Sequence, residues 1–170
     1  MSHRRFIKRY KELYAKTPLI GNYGVGGEFR LILSNENGRV IQDTGWFKNL
    51  VTNTGLINFN GSGGYWVQAG HIGNSNTPPS FTDSTLLGWL ASQASSQTWV
   101  QGPAAVAPNY EFYTTKSWRF AAGVGTGTIR EVGINHTTTN IAMCIRALVS
   151  PEVVKAANQV LDVYYRFTIW

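Results

Sequence analysis

The chain has 170 residues, of which 14% are charged and 13% aromatic, and it contains 18 glycines. This composition excludes a disordered or coiled-coil protein and favours one all-β domain with tight turns and a core of its own. The single cysteine, Cys144, excludes an internal disulfide, and no apolar run reaches the ~20 residues that a membrane span requires.

The positive charge is concentrated at the N-terminus. Residues 1–16 hold six basic side chains against Glu12 alone, whereas the rest of the chain holds nine basic and eight acidic side chains. Apolar residues recur there at helical spacing, so residues 1–20 are predicted to be a docking arm that contains a basic amphipathic helix ending before Pro18. The predicted docking residues are Arg4, Arg5, Phe6, Ile7, Arg9, Tyr10, Leu13 and Tyr14.

Three interpretations of the arm remain open at this point. The apolar stripe favours docking into a groove of a partner protein, because two tyrosines on it are good anchors. The basic tip favours nonspecific contact of residues 1–16 with nucleic acid phosphates. The third interpretation is a solvated helix that packs on its own domain.

The next segments predict a linker and the first strands of a body. Four glycines within residues 21–27 predict a flexible linker, which leaves residues 28–170 as a single β-sandwich domain. Alternating apolar residues from Phe29 to Leu33 are followed by Asn37-Gly38, which supplies the positive φ that tight hairpins need. We therefore expect a β-hairpin at this point.

The middle of the chain predicts two short helices. One is expected within residues 48–59, with Leu50, Val51, Thr54 and Ile57 on one face, although Gly55 weakens it. The other follows a predicted strand over residues 65–72 and a loop over residues 74–79. There Ser80 or Asp83 is expected to cap a helix that buries Leu86, Leu87 and Leu90.

The C-terminal half predicts strands. Residues 111–120 and 141–147 alternate, Ser150-Pro151 is expected to break the ladder, and residues 160–170 alternate most strictly of all. About seven strands with two or three short helices predict a mainly β, antiparallel β-sandwich. Its predicted core comprises Phe29, Leu31, Trp118, Phe120, Ile145, Val163, Tyr165 and Phe167.

The sequence contains little that predicts chemistry. The glycines from Gly123 to Gly127 lack the Lys-Ser/Thr of a phosphate-binding loop, so a turn between strands is expected. The three histidines have no second ligand at metal spacing, and a site combining Glu131, His136 and Cys144 is much less favoured than an inert, semi-buried Cys144. We therefore expect no enzyme activity, no cofactor and no metal.

Four ordered segments carry a family resemblance. They are residues 49–56 (NLVTNTGL), 70–86, which begin GHIG and end DSTL, 120–134, which begin FAAG and end TIREVGI, and 161–167 (LDVYYRF). Together they resemble a module of tailed-bacteriophage structural proteins, especially tail-fibre, collar and baseplate components. The resemblance spans residues 46–170 and departs from the usual Gly-Thr-Gly at Gly73-Asn74-Ser75, and the arm lies outside it.

The resemblance implies a non-enzymatic virion protein, assembled in the host bacterial cytoplasm, with no membrane partner. Without shaft repeats or heptads, the chain is expected to be a tail or collar adaptor whose arm docks on other virion proteins such as portal, collar, tail or fibre subunits. A symmetric ring or trimer of copies is expected, because many copies multiply weak contacts.

Two alternatives stay open. One is a capsid or head-decoration protein whose basic arm contacts the packaged genome. The other is a carbohydrate-binding host-recognition module that uses exposed tryptophans among Trp66, Trp89, Trp99 and Trp118.

Overall fold

The structure is a computed structural model that describes residues 19–20, 23–62, 67–95, 100–101 and 112–169. Within these ranges the protein is mainly β, as predicted. The strands and the helix in chain order are β1 (Leu19–Ile20), β2 (Tyr23–Ser34), β3 (Val40–Asp43), β4 (Phe47–Lys48), β5 (Leu50–Val51), α1 (Asn53–Ser62), β6 (Ala69–Gly73), β7 (Trp89–Ala94), β8 (Val100–Gln101), β9 (Phe112–Phe120), β10 (Gly127–Asn135), β11 (Ile145–Lys155) and β12 (Val160–Ile169).

The strands form two antiparallel sheets. The seven-stranded sheet has the order β1-β2-β12-β9-β8, and β3 and β4 also pair with β2. The five-stranded sheet has the order β5-β11-β10-β6-β7. The most strictly alternating segment, β12, lies between β2 and β9, with Val163 opposite Leu31 on one side and Trp118 on the other.

Buried apolar residues from both sheets form one hydrophobic cluster. It joins Leu31 and Trp118 of the seven-stranded sheet to Val132 and Ile145 of the five-stranded sheet. All eight residues predicted for the core are buried, and the most exposed of them, Phe167, is 8% exposed. The alternation in the sequence therefore assigned the faces of β2, β9 and β12 correctly.

The predicted hairpin after Leu33 is also confirmed. Gly38 has a φ of +78° and donates its N–H to the carbonyl of Asn35 at 3.0 Å, and β3 returns antiparallel to β2. The glycine-rich turn between β9 and β10 likewise has positive φ at Gly123 and Gly125. Both segments are turns because glycine adopts these angles without steric cost.

The predicted linker over residues 21–27 is wrong in its second part. Residues 23–27 belong to β2, and Gly26 and Gly27 pair with Thr168 and Phe167 of β12. A Cβ at Gly27 would overlap the ring of Tyr165. Glycine is therefore used here for a close approach between strands and not for flexibility.

The helix predicted within residues 48–59 is displaced. Residues 47–48 and 50–51 are short strands, and α1 begins only at Asn53, where the Thr52 hydroxyl accepts the N–H of Gly55 at 3.1 Å as an N-cap. Ile57 is 72% exposed, so the predicted apolar face is wrong. Gly55 packs so closely that a Cβ would meet the carbonyl oxygen of Cys144.

The second predicted helix, after Ser80, does not form. The segment is a loop in which the Asp83 carboxylate accepts the N–H of Ser80 at 2.8 Å and an N–H of Arg146 at 2.7 Å. Leu86 is buried as expected, but Leu87 is 54% exposed. The ion pair with Arg146 fixes Asp83 in place and thereby determines the loop.

The strand predicted over residues 141–147 begins later, and the break predicted at Ser150-Pro151 is local. Ile141 is exposed and Ala142 has a φ of +47°, so β11 starts at Ile145. The Ser150-Pro151 bond is cis, and four residues of β11 (149–152) lie opposite Arg130 alone, after which pairing with β10 resumes. Within the described ranges, no helix has the length and apolar character that a membrane crossing requires.

Candidate functional site

The predicted docking residues of the arm (Arg4, Arg5, Phe6, Ile7, Arg9, Tyr10, Leu13 and Tyr14) lie outside the described residues. The described chain begins at β1, whose two residues pair with Tyr23 and Gly24 at the start of β2. The last two residues of the predicted arm, 19–20, therefore form an edge strand of the seven-stranded sheet.

The most elaborate polar structure lies on the five-stranded sheet, on the face opposite the hydrophobic cluster. We call this the outer face, and it presents His71, Glu131, Asn135 and Arg146, all fully buried. Residues 74–88, here called the cover loop, run across this face between β6 and β7. A Cβ at Gly133 would meet side-chain atoms of Leu86 and Met143, so these two side chains lie directly on the sheet.

Arg146 anchors the cover loop. Its guanidinium, 0% exposed, pairs with the equally buried Glu131 at 2.8 Å and with Asp83 at 2.7 Å. It also donates to the carbonyl of Thr77 at 2.8 Å, and Glu131 in turn accepts the backbone N–H of Gly88. A buried arginine with this many partners fixes the loop at several points along its length.

A second anchor is a directed chain of hydrogen bonds through His71. Its Nε2 faces two acceptors, Asn135 Oδ1 at 2.8 Å and the carbonyl of Thr137 at 3.0 Å, so Nε2 carries the proton. Its Nδ1 then accepts the Ser92 hydroxyl at 2.7 Å, and Ser92 Oγ accepts the indole N–H of Trp89 at 2.8 Å. Burial lowers the pKa of His71, which keeps the ring neutral and the chain intact.

This chain ends at an exposed aromatic ring. Trp89 is 49% exposed, although its indole N–H is held by a residue of the same strand. The register between β6 and β7 shifts between Ile72 and Gly73, so that Trp89 lies opposite Gly73. This irregularity brings Trp89 next to Ser92 and presents a large, oriented apolar surface to solvent.

A polar groove lies at the same end of the sheet. It has a volume of about 460 Å³ and is lined by Asn76, Arg130, Leu148, Val149 and Glu152. Arg130 pairs with Glu152 at 2.8 Å, and both side chains are about half exposed. The lining of the groove therefore combines an amide, a neutralised ion pair and two apolar residues, Leu148 and Val149.

The exposed face of the seven-stranded sheet carries paired charges. Arg30 pairs with Asp43, and the hydrogen bond from Arg30 lowers the pKa of Asp43 to about 2. Arg119 pairs with Asp162 at 2.8 Å. Arg166, which lies over the ring of Trp46 at 4.7 Å, pairs with Glu28. In the described part of this face, these three arginines are each paired with a carboxylate.

Glu131, His136 and Cys144, which the sequence analysis considered as a catalytic group, have three different environments. Glu131 is engaged by Arg146, and His136 is exposed. Cys144 is fully buried, contacts the Asn58 amide at 3.3 Å, and burial raises the pKa of its thiol. The sequence predicted a semi-buried Cys144 within a strand, whereas Cys144 is fully buried and precedes β11. In the described part of the chain, no group of three His, Cys, Asp or Glu side chains is placed to hold a metal ion.

Two buried lysines were missed by the sequence analysis. Lys116 donates to the carbonyl of Val67 at 2.6 Å, Lys155 donates to that of Ala121 at 3.0 Å, and burial lowers the pKa of both amines. Lys116 shares a face with Trp118 and Phe120 in the sequence pattern, which was the available signal that it is buried. Both amines bind loop carbonyls next to the sheets.

Comparison with known proteins finds no family model that matches the sequence and no curated protein with significant similarity to it. The resemblance to phage structural proteins therefore stays a prediction.

Proposed function

We propose that the chain is a non-enzymatic bacteriophage virion protein, a tail or collar adaptor that docks on neighbouring virion subunits through residues 1–20. In this proposal the arm makes the contact and the β body mounts a fibre or another subunit. Copies act together in a symmetric ring or trimer, so that individually weak contacts add.

The observation that carries the proposal is the difference in charge between arm and body. Of the seven carboxylates whose side chains the structure describes, all but Glu36 form an ion pair with an arginine. Because six of the seven described carboxylates are already paired, the described part of the body has little negative charge left to attract residues 1–16, which carry a net charge of +5. This favours an external partner over an arm that packs on its own domain.

The position of β1 supports a mechanical role. β1 pairs with β2, and β2 pairs with the central strand β12 along the whole length of β12. Force applied to a docked arm would therefore pass into the middle of a sheet through backbone hydrogen bonds. An arm that is joined to the body through a sheet strand transmits force better than an arm joined through a flexible segment, and an adaptor needs this property.

We further propose that the two sheets pack face to face as an antiparallel β-sandwich. The shared hydrophobic cluster supports this arrangement, since it draws alternate residues from strands of both sheets. Packed sheets of this kind lie ~10 Å apart and bury one face of each.

The second candidate is a capsid or head-decoration protein whose arm contacts the genome. The basic character of residues 1–16 favours it, but the apolar stripe through Phe6, Tyr10 and Leu13 is not needed to bind phosphates. The two candidates predict opposite rankings of arm variants.

The experiment that tests the proposal is a search for the chain in purified phage particles by mass spectrometry, followed by its localisation with a labelled antibody. We expect the antibody to label the neck or the tail of each particle. Absence from particles, or a gene flanked by metabolic enzymes, would refute a virion role, and label over the head would favour the capsid candidate.

A further inference from the structure

Trp89 differs from the other tryptophans whose side chains the structure describes. Trp118 is 1% exposed and belongs to the core, and Trp46 lies under the guanidinium of Arg166. Trp89 is 49% exposed, yet its indole N–H is hydrogen-bonded at 2.8 Å. It therefore combines exposure with a fixed orientation.

We propose that Trp89 is the stacking platform of a binding site for a neutral sugar, with the polar groove next to the cover loop supplying groups that bind hydroxyls. This role goes beyond the adaptor function and does not depend on it. The ligand would be an oligosaccharide of hexose or N-acetylhexosamine units without charged groups.

The first argument is the support behind the ring. The chain from Trp89 through Ser92 and His71 ends on Asn135, whose amide donates to the carbonyls of Thr139 and Ile141. Each donor in this chain has an acceptor, so the ring cannot turn without breaking a hydrogen bond. Because these hydrogen bonds already hold the side chain of Trp89, it would lose little conformational freedom when a ligand binds.

The second argument is the position of the groove relative to the ring. The register places Leu148, Glu131, Gly73 and Trp89 in one row across four adjacent strands. With strands about 4.8 Å apart, Trp89 and Leu148, which lines the groove, are separated by ~14 Å, a span suited to a short oligosaccharide. Between them, the Asn74 side chain lies against Gly88, next to Trp89.

The third argument is the chemistry of the groups around the ring. Asn74 and Asn76 present amides, which both donate and accept, at exposed positions. Arg130 and Glu152 offer further donors and acceptors while neutralising each other. Sugar hydroxyls need such mixed partners, whereas an anionic or cationic ligand would meet no unpaired opposite charge in the groove.

A protein partner is the competing explanation, because Leu87 beside Trp89 is also 54% exposed. The hot spot of a protein interface is surrounded by residues that exclude water. Here the groove side is polar and wide open to solvent, which favours a hydrated ligand. The experiment must nevertheless separate these two outcomes.

The test is binding of the full chain to an array of neutral oligosaccharides, followed by titration calorimetry with the best ligand. Trp89→Ala should weaken binding at least about tenfold, as truncation of an anchoring aromatic does. Trp46→Ala is the matched control, since it removes a partly exposed tryptophan from the loop between β3 and β4, beside the other sheet, and it should leave the affinity unchanged. The urea midpoint of each variant shows that it folds.

Ser92 provides a test of the positioning role. Ser92→Ala should weaken binding several-fold and accelerate hydrogen exchange of the Trp89 indole N–H, while Ser92→Thr, which keeps the hydroxyl, should restore both. If Trp89→Ala fails to fold, Asn74→Ala and Asn76→Ala at the rim should each weaken binding. The proposal is overturned if no neutral oligosaccharide binds, if Trp89→Ala and Trp46→Ala behave alike, or if Trp89→Ala weakens only association with another virion protein.

Discussion

Replacing Arg146 by methionine should strongly destabilise the protein. Arg146 is 0% exposed and its removal would leave the Glu131 carboxylate, also 0% exposed, with only the backbone N–H groups of Leu87 and Gly88 as partners. Breaking a buried pair on one side costs about 3–5 kcal/mol. For a chain of this size that corresponds to a fall in the melting temperature of roughly 6–20 °C.

The assay is urea unfolding at pH 7, together with hydrogen exchange of the Leu87 and Gly88 amides. Their protection should fall in Arg146→Met, because the cover loop loses its anchor. The control is the double variant Arg146→Met with Glu131→Gln, which should recover part of the stability because it removes the fully buried charge of Glu131 and leaves only Asp83, 13% exposed, without its arginine. A loss below about 1 kcal/mol, or unchanged protection of both amides, would refute the role assigned to this pair.

Three further predictions concern the core, the histidine chain and α1. Phe167→Ala should lower the free energy of unfolding by ~3–5 kcal/mol in urea titrations, and a loss under about 1 kcal/mol would contradict the burial of Phe167. Since burial lowers the pKa of His71 in the folded state, the unfolded chain binds more protons below pH ~6.5. Stability should therefore be full above that pH and fall as the pH drops toward the folded pKa, by up to about 1.4 kcal/mol per unit, and this loss should vanish in His71→Gln. Gly55→Ala should destabilise the protein despite alanine's better helix propensity, because the Cβ would meet the carbonyl of Cys144, and a raised melting temperature would disprove that contact.

The features that the sequence predicted correctly depend on local patterns. The alternation of residues 161–167 reports one buried and one exposed face, and Asn37-Gly38 determines a turn within four residues. Strands β2, β9 and β12 show this alternation because each has one buried face and one partly exposed face. Period-two alternation is sufficient to identify such strands and their core residues.

The sequence did not predict that the outer face of the five-stranded sheet is covered, because strands buried on both faces show no polar–apolar alternation. All five residues of β6 are buried, including His71, so β6 shows no alternation. The cover loop that buries this face is joined to it by contacts over long sequence distances, such as Arg146 with Asp83. Such contacts have no local signature, and the loop's prolines and polar residues suggested only an ordinary surface connection or a capped helix.

The candidate site was predictable only in part for the same reason. The sequence identified Trp89 as one of several tryptophans able to bind a sugar, but its hydrogen bond to Ser92 depends on a register shift between β6 and β7. The burial of Lys155 had no signal in the sequence, because the loop carbonyl of Ala121 that binds its amine approaches from elsewhere in the chain. The arm remains a sequence prediction, with its partner to be found.

The most direct test of the adaptor proposal compares two pairs of arm substitutions by their incorporation into particles. If apolar contacts hold the arm, Tyr10 and Leu13 changed to Ala should abolish most incorporation, because each buried side chain contributes about 1.5–3 kcal/mol. Arg4 and Arg5 changed to Gln should have a smaller effect, since exposed charge pairs contribute only ~0.2–1 kcal/mol and are screened by salt. The opposite ranking, with incorporation that collapses as salt rises, would contradict the adaptor and support an arm that binds the genome.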